Sequence, residues 1–251
     1  MTPDPRPVPP PRDSAVHVSH LTRRFGSFTA VDDITLDVQP GEIFGFLGAN
    51  GAGKTTAIRM LCGLLPPTSG EATVAGYSIR TEAAAIKRRI GYMSQRFSLY
   101  EDLTVAQNIE FYGGVYGLDR TTIRRKTDEL FETLDLGNQR SAVTGSLPLG
   151  WKQRLALGTA LLHDPSIIFL DEPTGGVDPI SRRRFWRIIY DLAARGTTVF
   201  VTTHYMDEAE YCTRVSIMHQ GRIIEMGGPR ALKEKHGRAS MQDVFIALIG
   251  G

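Results

Sequence analysis

The sequence predicts an α/β fold: a parallel-sheet core, an antiparallel β layer and an α-helical subdomain. Three observations predict it. The apolar run Glu42-Ile-Phe-Gly-Phe-Leu47 ends in the glycine-rich stretch Gly48-Ala-Asn-Gly-Ala-Gly-Lys-Thr55, and an apolar helical period starts directly after it. Two further short runs, Ser166–Leu170 and Thr197–Thr203, read as strands buried on both faces, as the interior of a parallel sheet requires. From Thr104 to about Gly145 the helical period dominates, with little β signal.

Taken in order, Met1 to Ser14 carries six prolines and little to bury, and is expected to be a disordered tail. Val16–Phe25 and Ala30–Val38 alternate as strands of the antiparallel layer, joined by a turn at Gly26-Ser27. Thr55–Leu65 places Ile58, Leu61 and Leu65 at helical spacing. Pro66–Gly70 is a turn, and Glu71–Ile79 is a short strand pair broken at Gly76. Ile90–Ser94 is a strand that ends at Gln95, and the helical subdomain follows over about residues 96–160. Pro179–Arg195 is a helix with Phe185, Ile188, Ile189 and Leu192 on one face and Gly196 as its stop. After Thr203 come a helix near Asp207–Tyr211, a hairpin from Val215 to Glu225 around Gly221, and two short helices. The main domain is placed at 15–236. The last segment, 237–251, carries Met241, Val244, Phe245 and Leu248 on one helical face and is expected to pack on it.

The stretch Gly48–Thr55 matches G-x-x-x-x-G-K-[ST], the loop that wraps a nucleoside triphosphate, and stands between a strand and a helix N-terminus. Gly48, Gly51 and Gly53, with Ala49, Asn50 and Ala52 between them and Thr56 after, let successive backbone N–H groups turn inward on an anion. The helix adds the positive end of its dipole. Lys54 offers a mobile charge to the β- and γ-phosphates of ATP, and Thr55 a hydroxyl to Mg²⁺. Ile167–Glu172 then sets two acids at the end of a buried strand: Asp171 for the metal shell and Glu172 as general base for the attacking water. The fold class is that of a P-loop NTPase.

Further stretches, in order over about residues 16–230, resemble the ATP-binding subunit of ABC transporters. Gln95 stands where that family keeps a glutamine for the metal, the water and the membrane partner. Leu170-Asp-Glu-Pro-Thr174 followed by Gly-Gly-Val-Asp178 resembles the family's acid strand and D-loop, and Asp178 before Pro179 also reads as a helix N-cap. Thr203-His204 resembles the switch histidine that touches the γ-phosphate, and Phe25 sits where the family stacks an aromatic on adenine. Leu147-Pro-Leu-Gly-Trp-Lys-Gln-Arg154 is similar to the signature, usually Leu-Ser-Gly-Gly-Gln followed by x-Gln-Arg: Gly150, Gln153 and Arg154 match, whereas Pro148, Leu149 and Trp151 depart. In the family this segment, here Leu147, Pro148, Gly150 and Gln153, caps the γ-phosphate held by a second subunit. Pro148 has neither hydroxyl nor N–H, so the helix dipole and the Gly150 N–H are left to meet phosphate.

The resemblance implies an ATPase subunit that closes as a homodimer, or with a related ATPase, over Mg²⁺-ATP. It would act peripherally at the cytoplasmic face of the inner membrane on separate membrane-spanning permease subunits, which alone contact the small-molecule substrate. The Pro-Leu-Gly-Trp form, with Tyr92-Met-Ser-Gln95, Asp102-Leu-Thr104 and Asp243-Val-Phe-Ile246, looks like the bacterial drug-export branch. Phe97, Leu99, Tyr100 and Leu103 lie where the family receives its membrane partner. The alternative is a soluble ribosome-associated ABC-type ATPase, a group that usually carries two phosphate loops where this chain has one.

Composition agrees. Over 251 residues, 41% are hydrophobic and 22% charged, and 29 basic against 27 acidic residues leave a net charge of +2, with no electrostatic footprint for nucleic acid. Cys62 and Cys212 lie in apolar segments and are expected to be buried thiols, in keeping with a cytosolic compartment. No apolar run approaches the length that spans a bilayer, and no secretory signal is expected at the N-terminus.

Overall fold

The computed structural model describes residues 14–95 and 98–250. In chain order the elements are β1 (Val16–Phe25), β2 (Phe28–Val38), β3 (Ile43–Leu47), α1 (Lys54–Leu61), β4 (Ser69–Val74), β5 (Tyr77–Ser78), α2 (Ala83–Arg89), β6 (Ile90–Met93), α3 (Val105–Val115), α4 (Arg120–Thr133), α5 (Leu149–Leu161), β7 (Ile167–Asp171), α6 (Pro179–Ala194), β8 (Thr198–Thr203), β9 (Arg214–His219), β10 (Arg222–Gly227), α7 (Pro229–His236) and α8 (Met241–Ile249). They form two sheets. An antiparallel sheet has the order β2-β1-β4-β5, and a second sheet the order β10-β9-β3-β8-β7-β6. In the second, β9, β3, β8, β7 and β6 run parallel and β10 turns back along β9.

Each strand of the central sheet divides its side chains between two cores. Ile43, Leu47, Ile168, Leu170, Val199 and Val201 face the layer of α3, α5, α6 and α8. Phe44, Phe46, Phe169 and Phe200 face α1 and the antiparallel layer, with neighbouring ring centroids 4.9–5.9 Å apart. Burial on both faces is why β3, β7 and β8 are apolar runs instead of alternating ones. In β1 and β2 one face is wet, so Val16 and Val18 pair with Val38 and Leu36 as buried residues between polar ones.

The helical subdomain follows from its caps. Thr104 closes a capping box with Gln107 on α3, and Asp119 accepts from Thr122 N on α4. A Cβ on Gly113 would stand 2.7 Å from Ile123 Cγ1, so glycine allows α3 and α4 to meet. Asn108, fully buried, ties the subdomain inward through bonds to Tyr100 N and O and to Thr144 Oγ1. On α8, Met241, Val244 and Phe245 are buried against the main core and Leu248 packs at its edge.

Several expected bounds shift. α1 stops at Leu61 because Gly63 adopts φ 65°. β2 starts two residues early, at Phe28. The helix near Asp207 is a 3₁₀ turn, Met206–Tyr211. Helix α2 escaped the periodicity because it is short and buries only Ile86. The tail Met1–Asp13 and Phe97 lie outside the described residues. Of the other three residues named with Phe97, Leu99 is buried in the core, Leu103 is half-buried, and Tyr100 is exposed, edge-on to Phe111. Cys62 and Cys212 are buried free thiols.

Candidate active site

The loop from Gly48 to Thr55 leaves β3 beneath the β9–β10 hairpin. Its glycines are sterically required at two points: a Cβ on Gly48 would lie 2.5 Å from Met218 O, and one on Gly53, at φ 107°, would lie 2.4 Å from Ala30 O. Gly221 N at the hairpin tip donates to Ala52 O, and Asp32 N to Gly221 O, so β2, the loop and the hairpin are bonded in series. No side chain caps α1, which leaves its first N–H groups to an external acceptor.

Across the sheet, β7 delivers the acids. Asp171 stands opposite Thr202 of β8, and its Oδ1 accepts from Thr202 Oγ1 at 2.7 Å and Thr55 Oγ1 at 3.1 Å. Its Oδ2 is buried and has no hydrogen-bond partner among the described residues. Burial raises the Asp171 pKa, only partly offset by the two hydroxyls. A carboxylate oxygen left open beside a threonine hydroxyl fits Mg²⁺. Among the described residues no cluster of three or more His, Cys, Asp or Glu could hold a metal alone.

Glu172 follows with φ 49°, a strained conformation for a side chain of its size, held by its N–H to Thr202 O and Oγ1 at 3.2 and 3.0 Å. That backbone turn aims the carboxylate at the loop. Oε2 accepts from Gln95 Nε2 at 2.9 Å and lies 3.1 Å from His204 Nδ1, and Oε1 is 3.4 Å from Lys54 Nζ. Lys54 Nζ also donates to Gly48 O (2.8 Å) and Ala49 O (3.1 Å). Burial lowers the Lys54 pKa, with the Glu172 charge opposing. Lys54, Gln95 and Glu172 border a cavity of ≈ 320 Å³ that Phe28 and Ala30 wall on the other side. Lys54, Thr55, Thr56, Asn50, Gly51 and Gly53 therefore line one space, with Asp171 behind Thr55.

Other expected residues lie apart from it. Phe25 is 45% exposed at the end of β1 with the Arg23 guanidinium 4.5 Å from its ring, and Phe28, across the turn, is the aromatic that walls the cavity. Asp178 caps α6, accepting from Ile180 N and Ser181 N at 3.0 and 2.9 Å, and those donors hold its pKa below the usual carboxylate value. The 147–154 segment divides into buried and exposed positions. Leu147 and Gln153 are buried packing residues, 8% and 7% exposed, so their side chains face the protein interior. Gly150 packs against α6, where a Cβ would meet Ser181 Cβ at 2.7 Å. The exposed face of the segment is Pro148 and Leu149.

Two residues with roles here, Phe28 and Thr202, carried no sequence signal as single positions, and a third, Arg154, carried only its match to the signature. Arg154 is 2% exposed, donates to Leu134 O and Asp135 O at 2.8 and 2.7 Å, and sits 4.4 Å from the Trp151 ring, fastening the start of α5 to the end of α4.

Residues 31–175, from β2 through the loop and Gln95 to Asp171 and Glu172, match the ABC transporter family. The chain belongs to this family. It is 46% identical over 244 residues to the probable multidrug ABC transporter ATP-binding protein YbhF of Escherichia coli, covering 95% of this chain but 42% of that relative's length. The Nod factor export ATP-binding protein I of Burkholderia lata is 38% identical over 227 residues, 90% of this chain and 75% of the relative. Among solved structures, an ATP-binding subunit of an ABC transporter superposes with TM-score 0.83 at 26% identity, covering 94% of this chain and 99% of that one. A dimeric post-hydrolysis ATP-binding cassette bound to ADP and Pi superposes with TM-score 0.78 at 25% identity, covering 85% and 98%. Among the described residues no helix is long and apolar enough to cross a membrane.

Proposed function

We propose that this chain binds and hydrolyses ATP as the nucleotide-binding subunit of an ABC exporter. The observation that carries the reading is the convergence of four separate segments on one cavity behind a phosphate loop: Lys54, Thr55, Gln95 and Glu172 line it, Asp171 is bonded to Thr55, and His204 lies beside Glu172. The relatives named for multidrug and Nod factor export support the export direction, and the dimeric neighbour supports a two-subunit closure.

An incoming triphosphate competes for the Lys54 ammonium with Gly48 O, Ala49 O and Glu172, and so frees the Glu172 carboxylate. The backbone N–H groups of the loop and α1 hold the phosphates in place of water. Thr55 and Asp171 would hold Mg²⁺, which would supply charge neutralisation at the phosphates. Glu172 takes a proton from the water aligned by Gln95 as that water attacks the γ-phosphorus; the bond to the ADP oxygen breaks and ADP leaves with its electron pair. His204, beside the same carboxylate, donates to the γ-phosphate. In the closed dimer the Pro148–Gly150 backbone of one subunit faces the γ-phosphate of the other, and its loss on hydrolysis opens the clamp.

The membrane-spanning subunits are separate chains, the subunit docks on them from the cytoplasmic side, and the exported compound is drug-like or lipophilic. Phosphate release from Mg²⁺-ATP tests the reading: the wild type exceeds Lys54→Ala, and equal rates overturn it. Co-purification from detergent-solubilised membranes with a multi-span chain supports the transporter role, whereas co-sedimentation with ribosomes overturns it.

A further inference from the structure

Glu208 takes no part in the chemistry above, yet its side chain is 0% exposed. Its Oε1 accepts the Thr174 hydroxyl and faces Arg182 Nε at 3.6 Å. Its Oε2, and Arg182 Nε, have no hydrogen-bond partner among the described residues. A buried carboxylate with one oxygen unfilled destabilises a fold, and an apolar side chain of the same volume packs such a site at lower cost. What the charge does here is geometric, and its partners show which geometry.

Thr174 stands two residues after Glu172, in the turn that leads to the Asp178 cap, and is 1% exposed. Glu208 lies in the 3₁₀ turn that follows His204, with its N–H on Tyr205 O at 3.2 Å. Arg182, on the first turn of α6, lays its guanidinium 4.4 Å from the Tyr205 ring, and that ring sits 4.2 Å from the His204 ring. One carboxylate thus bonds the loop carrying the base and pairs with the arginine that backs the loop carrying the histidine. Both loops are otherwise held near their roots by β8, through Thr202 to Glu172 and through Thr203 Oγ1 to Tyr205 N.

We propose that Glu208 is a positioning residue that locks the Glu172 loop and the His204 loop into one rigid unit through Thr174 and Arg182. This rests on the ATPase reading above. The link is remote from the phosphate loop, so it governs the alignment of base and histidine in the reaction step without touching nucleotide binding. A misplacement of about 1 Å at a reacting group costs up to about a hundredfold in rate.

The test measures steady-state kcat and KM for Mg²⁺-ATP, with melting temperature, in Glu208→Gln, Thr174→Val, Thr174→Ser and the Gln–Val double variant. Glu208→Gln and Thr174→Val each lower kcat about tenfold and leave KM within about twofold. The double variant falls no further than either single, because both cut one link. Thr174→Ser keeps the hydroxyl and restores kcat. Wild-type kcat in Thr174→Val overturns the proposal even where Glu208→Gln fails to fold. So does a double variant whose loss is the product of the singles, or a KM that rises in step with the loss of kcat. Wild-type turnover no faster than Lys54→Ala overturns the ATPase reading, and this inference with it.

Discussion

Replacing Glu172 by glutamine keeps the shape of the side chain and removes its capacity to take a proton. The carboxylate is 9% exposed, and Oε2 sits 2.9 Å from Gln95 Nε2 and 3.1 Å from His204 Nδ1. An amide carbonyl in the same position accepts both contacts. The amide nitrogen then faces Lys54, which keeps Gly48 O and Ala49 O, so the fold loses one charged contact, a cost of about 1–3 kcal/mol. The chemistry loses more. A positioned general base contributes about 10²–10⁴-fold, so kcat falls about 10³-fold. That is about 4 kcal/mol added to the barrier. ATP affinity does not fall, because the substitution removes a negative charge beside the triphosphate and the acceptor that competes for Lys54. The variant therefore accumulates as an ATP-bound dimer. Single-turnover phosphate release and gel filtration in Mg²⁺-ATP read both effects. Turnover above about a tenth of wild type would refute the assignment of the base, and a monomer with bound ATP would refute the two-subunit clamp.

Three further substitutions separate stability from chemistry. The Asp171 pKa is raised by burial, so folding favours its protonated form and the charged form costs stability as pH rises through the raised value; Asp171→Asn without nucleotide should melt at or above wild type near about pH 8, lose that advantage toward about pH 4, and show no Mg²⁺-dependent turnover, and a lower melting temperature at every pH would count against the argument. Gly53→Ala drives a Cβ to 2.4 Å from Ala30 O at φ 107°, so calorimetry should show a loss of at least about 2–3 kcal/mol, and an unchanged melting temperature would mean that the loop is not pinned against β2. Pro148 occupies the N-cap of α5 with no side-chain cap bond, so Pro148→Ser should stabilise by about 1 kcal/mol and tighten the ATP-bound dimer, which gel filtration at limiting ATP would detect; a weaker dimer would show that the proline is needed there.

Legibility in the sequence followed the range of the interactions involved. The loop, the acid strand and the α6 cap are written in contiguous residues, and periodicity placed most of the strands because two-sided burial leaves apolar runs. What escaped depends on which strand lies beside which. Thr202 bonds both acids only because β8 runs next to β7 in that register, 31 residues from Asp171 in sequence. Phe28 lines the cavity and Phe25 does not, although the two stand opposite each other across the turn at Gly26-Ser27, a difference that leaves no mark on composition. Gln153 and Arg154 matched a motif, and motif matching says nothing of burial. The structure turns both inward, Arg154 onto carbonyls at the end of α4 that only tertiary packing brings within reach.

The proposed mechanism needs one magnesium nucleotide shared by the phosphate loop and the strand-end acids. A crystal structure of Glu172→Gln grown in saturating Mg²⁺-ATP measures this directly. The triphosphate is expected along Gly48–Thr55 with Lys54 Nζ withdrawn from position 172 onto the phosphates, and the metal between Thr55 Oγ1 and the open oxygen of Asp171. A correctly folded chain with that loop empty, or with nucleotide bound elsewhere, would contradict it.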